Sequence, residues 1–412
     1  MDSFLNCFYD FSVCPAYYDF LTFLQIAELH RLRHGFSKIR VLFVKGPNSG
    51  FRQDKLRTPE SNQLMFRNVL LPSCHLLESL AEILWVSSRA DCVYFLKDSQ
   101  SIFPRGYCLH TPVSDYLEGA LQCAFLRGES ISYFRAPAEK RSAARSFLST
   151  VSGGKKVVTL TLREAAHDST DRRNLDEVTW TQFLQSSEAS GYQPVIIRDT
   201  CKMFSPDSVF PMFPQAPLAS ADVLFRTALY EAAHLNIFPN NGPYTCALYS
   251  QSASLAFKYQ DDRVVATSAK WFEDILGLAF GDQRPISEKR SVIVWEDDSI
   301  DIISRAVAAM NFQINQFAGL SEKHGISSAA QAQRTVTVAL KYTLTKLSIK
   351  AALEDLVALT QIQSICEIFD IQFGSGEGLR ELLLKGEGVF FPEGTIKILR
   401  EFEKQFPTGL RL

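Results

Sequence analysis

No Cys-x-x-Cys pair occurs in this chain, and no cysteine stands at metal-ligand spacing from a histidine, so structural zinc is not expected. The nine cysteines, at positions 7, 14, 74, 92, 108, 123, 201, 246 and 366, are scattered. In so long a chain they read as reduced, mostly buried small hydrophobes of a cytosolic protein. Excess charge of either sign is also missing. A net charge of −2 gives no support for general binding to nucleic acid or to an anionic membrane. No apolar run reaches the roughly 20 residues needed to cross a bilayer. The N-terminal segment MDSFLNCFYDF lacks the basic region and small-residue cleavage site of a signal peptide. A soluble cytoplasmic protein is the expectation. Neither G-x-S-x-G, H-E-x-x-H, G-x-G-x-x-G nor a Walker A sequence is found, and no D-x-D follows an apolar strand. Fixed-period repeats and low-complexity tracts are absent too.

What is present is an alternation of short apolar runs with helical stretches. The 412 residues exceed what one core usually organises, and a hydrophobic fraction of 46% with 21% charged residues is ordinary for a folded protein. In the first part, residues 17–36 read as a helix and 40–45 (RVLFVK) as a strand buried on both faces. Further strands are expected at 68–72, 93–96 and 131–136, with helices at 74–84, 114–126 and 137–151. The second part alternates more clearly. Strands are expected at 156–162 (KVVTLTL), 194–199 (PVIIRD) and 291–295 (SVIVW), with a helix at 175–190. Residues 221–259 read as helix, strand, tight loop, helix, strand. Such alternation implies parallel, doubly wound sheets.

The predicted architecture is therefore α/β, with two Rossmann-like domains facing a cleft and a C-terminal helical extension. The boundaries fall at 1–152, 153–312 and 313–412. Long helical stretches are expected at 299–320 and 334–369, and the extension is a candidate for oligomer or partner contacts.

The candidate site residues stand where predicted strands end. Asn240, Asn241, Gly242 and Pro243 lie between a buried strand and a helix, where α/β proteins bind phosphate-bearing ligands. Glycine permits close backbone approach, and proline suits a first helical position. The plainer alternative is a turn that only caps the helix. Arg163 and Glu164 follow the strand at 156–162, with Arg172, Arg173 and Asn174 soon after. Guanidinium forks match diphosphate oxygens, but these arginines can equally pair with nearby carboxylates. Arg198 and Asp199 end the next strand, Asp199 either binding a sugar hydroxyl or capping a turn. Lys258 and the acidic pair Asp297 and Asp298 occupy analogous positions, the latter also suited to capping the next helix. In the first part, Gly46, Pro47, Asn48, Ser49, Gly50 and Arg52 form a turn-rich loop after the 40–45 strand. No catalytic base is identified.

At these residues the chain resembles the GT-B class of glycosyltransferases, and within it a little-characterised bacterial group associated with surface-carbohydrate synthesis. The resemblance rests on VVTLTLRE (157–164) with Arg173, Asn174 and Trp180, PVIIRDT (194–200), RTALYEAAHLNIFPNNGP (226–243) and VIVWEDD (292–298). FVKGPNSGFR (43–52) matches in the first half, and the likeness covers roughly residues 16–312. It implies a nucleotide-sugar donor held mainly by the second domain, beside the 240–243 loop, and a glycan acceptor held by the first. Metal-independent glycosyl transfer follows, with the nucleotide sugar as co-substrate and no further cofactor. A nucleotide-sugar epimerase on the same scaffold and a non-catalytic binding or scaffold protein are the rival expectations.

Overall fold

The structure, a computed structural model, describes residues 3–317 apart from 55–56, 111, 117, 127–128, 165–172, 208, 265–266 and 288–289. The expected helix at 334–369, the extension from 318 onward and Arg172 lie outside the described residues.

Two parallel sheets form the frame. The first contains β1 (Phe4–Asp10), β2 (Lys38–Val44), β3 (Leu80–Val86) and β4 (Ile102–Phe103) in the order β3-β2-β1-β4. The second contains β5 (Lys156–Thr161), β6 (Tyr192–Ile197), β7 (Leu235–Pro239), β8 (Ser254–Phe257) and β9 (Ser291–Ile293) in the order β6-β5-β7-β8-β9. Each order reverses direction beside its first strand, which leaves a crevice at the strands' carboxyl ends. Register aligns those ends: Asp10 lies opposite Val44, and Val44 opposite Val86.

The helices of the first part are α1 (Asp19–Arg33), α2 (Pro59–Met65), α3 (Leu71–Ser73), α4 (Gly119–Leu126) and α5 (Ala138–Ser152). Those of the second are α6 (Glu177–Ala189), α7 (Pro217–Ala221), α8 (Val223–Ala232), α9 (Tyr244–Tyr249), α10 (Ala269–Trp271) and α11 (Ile300–Phe317). Helix α5 packs on α8, and α1 packs on α9. One apolar cluster runs through both parts, from Tyr9, Phe20 and Phe43 to Phe225, Tyr230 and Tyr249. Separate clusters cover the outer faces, with Trp180, Phe183 and Phe257 on one sheet and Phe8, Leu42 and Tyr107 on the other.

The second part follows the expected alternation closely, whereas the first does not. Residues 68–72 are helical, inside a continuous run of α2, a π turn (Phe66–Leu70) and α3. Phe66, Val69 and Leu70 are buried at a helical i, i+3, i+4 spacing. Residues 74–84 hold only a 3-10 turn (Cys74–Leu76) before β3 begins. Residues 93–96 close a 3-10 helix (Arg89–Leu96) on which Val93 and Tyr94 are exposed. Residues 131–136 form no strand. Their backbone instead ties the two parts together, Phe134 N donating to Tyr249 O and Arg135 N to Leu76 O. The largest omission is β1 itself. Its run Leu5–Asp10 is wholly buried, as a central parallel strand requires.

Candidate functional site

The carboxyl ends of the two sheets meet, and side chains from both parts fill the space between them. After β1, residues 11–18 turn into α1 and place Tyr18 and Asp19 at the helix start. After β7, residues 240–243 turn into α9. The Tyr18 ring lies directly on Gly242: a Cβ there would come within 2.3 Å of Tyr18 Cδ2. Glycine is therefore required at 242 for the packing of the two parts, whatever else approaches this loop.

The loop is pinned on both flanks. Asn240 Nδ2 donates to Tyr259 O at 2.6 Å, past β8, and Asn241 Nδ2 reaches Leu162 O at 3.5 Å, past β5. Asn241 Oδ1 is buried without a hydrogen-bond partner. Pro243 stands at the helix entry with φ −54°, as its fixed ring favours, and Thr245 N and Cys246 N bond back to Gly242 O and Pro243 O. Arg163, half-buried, follows Leu162 and so stands beside this loop, and it makes polar contacts of its own. Arg173 and Asn174 are half-buried and likewise engaged.

Other strand-end residues are committed to one another. Arg198 is buried and paired with Glu164 through Nη2 and Nε, while its Nη1 donates to Ser205 O at 3.1 Å. Glu164 also accepts from Asp199 N, and Asp199 Oδ1 accepts from Cys201 N at 3.3 Å, so Asp199 caps the turn Thr200–Lys202. Lys258, in a left-handed backbone conformation at φ +49°, pairs with Asp298 Oδ1 at 3.1 Å. Asp298 Oδ2 accepts from the indole of buried Trp180 at 2.6 Å. Neither Asp297 nor Asp298 caps α11. Ser299 does, with its hydroxyl facing Ile302 N at 3.4 Å.

In the first part, the 46–52 loop closes on itself. Gly46 N donates to Gly50 O, and Asn48 and Phe51 exchange backbone bonds. Ser49 and Gly50 both have positive φ, and Pro47 lies inside the turn. A Cβ at Gly46 would sit 2.3 Å from Phe11 O, so this glycine serves the passage of the β1 exit past the loop. Arg52 donates to Val13 O at 3.1 Å and lies close enough to Asp19 to favour its charged form.

Sequence reasoning missed several groups that the fold brings here. Burial pushes the Asp19 carboxyl above the usual aspartate range; its own backbone amide and Arg52 oppose this, and the charge of Glu118 adds to it. Glu118, which precedes α4, pairs across the two parts with Arg284 at 3.3 Å. The Arg284 guanidinium stands 5.4 Å from the Tyr244 ring and 5.5 Å from that of Tyr259. Arg226, on α8, donates to the Tyr18 hydroxyl at 3.1 Å. A lone cation inside the apolar run VLFRTALYEA was the signal for Arg226; Asp19 had only its place in a first helical turn. Asp10, at the end of β1, is fully buried and satisfied by Ser12, Arg89 and Tyr107, a structural anchor for the strand exit.

No protein-family model matches the sequence, and no curated protein matches it. Solved structures similar to this chain include a glycosyl transferase of family 9 from Veillonella parvula, at 11% identity over 77% of this chain and 96% of that one, TM-score 0.43. The E. coli ADP-heptose lps heptosyltransferase II is similar at 9% identity over 76% and 99%, TM-score 0.46. A UDP-GlcNAc 2-epimerase from Methanocaldococcus jannaschii is similar at 14% identity over 78% and 80%, TM-score 0.28.

Proposed function

We propose that this chain is a glycosyltransferase that moves a sugar from a nucleotide-sugar donor to a hydroxyl of a glycan acceptor. The observation that carries the reading is the meeting of the two sheets' carboxyl ends at Tyr18 and Gly242, which puts two switch-point crevices on one cleft. The donor diphosphate would lie along 240–243, where Arg163 stands beside the loop. Arg198 and Lys258 act one step back, because their charges are already spent on Glu164 and Asp298. They hold the strand exits that carry Glu164, Asp199 and Asn240.

Asp19 is the base we assign to the acceptor hydroxyl. It starts α1, belongs to the first part and is held above the ordinary carboxyl range by burial. A carboxylate raised toward the working pH is a better proton acceptor than one at its usual value. Arg52 beside it keeps enough of the charged form to act. The nucleotide sugar is the only co-substrate in this scheme, with leaving-group charge met by Arg163 and backbone N–H groups. No helix among the described residues is long and apolar enough to cross a membrane.

Isothermal titration with UDP-, GDP-, CMP- and ADP-sugars tests the donor half; saturable binding of one class is expected, and silence from all four sinks the proposal. With the donor known, Asp19→Asn should lower kcat by about 10²–10⁴-fold while donor Kd changes little. The acid limb of the pH–rate profile should lie above the range of an ordinary aspartate and vanish in that variant. Turnover of the donor without any acceptor would favour epimerisation instead.

A further inference from the structure

Arg226 is one of the largest fully buried side chains of the protein, 2% exposed. Its Nε donates to Ala219 O at 2.5 Å and its Nη1 to the Tyr18 hydroxyl at 3.1 Å. Its Nη2 is buried and has no partner, and no carboxylate forms an ion pair with the guanidinium among the described residues; Asp199, engaged at its own turn, favours the charge only from a distance. Burial drives the Tyr18 phenol well above its ordinary value, so Tyr18 is a neutral acceptor and not a counter-charge. A buried cation without a counter-charge is costly, and folded proteins rarely keep one that nothing uses.

A second unsatisfied group lies across the same tyrosine. Asn241 Oδ1 is buried without a partner, next in sequence to Gly242, on which the Tyr18 ring sits. A half-turn of the side-chain amide presents its N–H₂ on this side instead, giving up the long 3.5 Å contact of Nδ2 with Leu162 O. Tyr18 thus separates a guanidinium with no ion-pair partner from an amide with an unsatisfied oxygen, and its hydroxyl occupies one of the guanidinium's donors.

We propose that Arg226 is an anion-binding residue held behind Tyr18, and that a diphosphate entering at 241–243 displaces Tyr18 and takes its place. The anion receives Nη1 and Nη2 of Arg226 as a fork, together with the turned Asn241 amide, and supplies a directly paired counter-charge. Placing that diphosphate on a nucleotide sugar rests on the donor reading above; the anion site itself does not. Because Tyr18 adjoins Asp19, its displacement also moves the first turn of α1, which links donor arrival to the base.

The test is titration calorimetry on the full chain with inorganic pyrophosphate and with UDP, GDP, CMP and ADP, in wild type, Arg226→Met and Tyr18→Phe. Tyr18→Phe removes the competing hydroxyl and keeps the ring, so pyrophosphate should bind roughly twofold to tenfold more tightly. Arg226→Met should weaken binding by roughly tenfold to a hundredfold while thermal stability holds or rises, since an apolar isostere relieves a buried unpaired charge. Lower stability with unchanged pyrophosphate affinity in Arg226→Met would overturn the proposal. If that variant does not fold, Tyr18→Phe decides: unchanged or weaker binding overturns it. Failure of wild type to bind pyrophosphate or any of the nucleotides overturns it as well. Pyrophosphate binding that depends on Arg226, with no nucleotide bound, keeps the anion site and removes the donor reading. A nucleotide bound equally by wild type and Arg226→Met keeps the donor reading and removes the anion role.

Discussion

Arg198 and Arg226 show how differently the same side chain is used within one cleft. Arg198 ends a strand, the position that sequence pattern marks for ligand contact, yet Glu164 already neutralises it. Arg226 sits in the middle of an apolar helix, the position that pattern treats as anomalous, and among the described residues no carboxylate forms an ion pair with it. Charge alone therefore does not identify a ligand group; what matters is whether the charge is spent. Asp115 makes the same point among carboxyls. It has no hydrogen-bond partner among the described residues, and burial pushes its pKa up to about 7. The folded state thus holds this proton more tightly than the unfolded chain does. Its contribution is most favourable below about pH 4 and is lost as pH rises to about 7. Asp115→Asn should accordingly raise Tm by about 2–4 °C at pH 8 and by much less at pH 5, as scanning calorimetry would show.

At the scale of elements, the second part was legible throughout, whereas in the first α1, β2 and α5 stand where expected but β1 and residues 66–96 do not follow the pattern. Strands β5, β6 and β8 are β-branched or apolar runs ended by turn residues, and period and composition agree there. In residues 66–96 they conflict, because a short apolar run fits a buried strand and a buried helical turn equally well. The helix α8 that carries Arg226 is held by Asp222. That carboxylate accepts from Leu224 N at 2.9 Å and Phe225 N at 3.2 Å and also pairs with Lys140 of α5 at 2.5 Å. Capping and the cross-helix pair are separable. Asp222→Ala should cost about 1–2 kcal/mol in urea denaturation, and Lys140→Ala at most about 1 kcal/mol, because a partly exposed ion pair contributes little. Equal losses would assign the effect to the pair and not to the cap.

At the scale of the molecule, the two parts share a core and a buried polar seam. Glu118 and Arg284 form an ion pair across it, and Gln122 Oε1 accepts from Ile286 N at 3.2 Å. Removing one member leaves the other charge buried and unpaired. Arg284→Ala is expected to cost about 3–5 kcal/mol and to split a single calorimetric transition into two, the parts melting separately. A single transition at unchanged Tm would show that the apolar cluster alone couples them.

The alternation of strands and helices, the parallel sheets and the place of the 240–243 loop were determined by the sequence itself, because each depends on local periodicity and on glycine and proline at turns. Which charged groups are occupied was decided only by the tertiary structure. The partners that decide it come from far along the chain, Glu164 to Arg198 over 34 residues and Tyr18 to Arg226 over 208. Local pattern carries no record of such pairs, because the first forms only when β5 and β6 lie side by side and the second only when the two parts pack together. The loop at 240–243 was readable as a turn. That Tyr18 covers it, with a buried arginine behind, follows from packing alone.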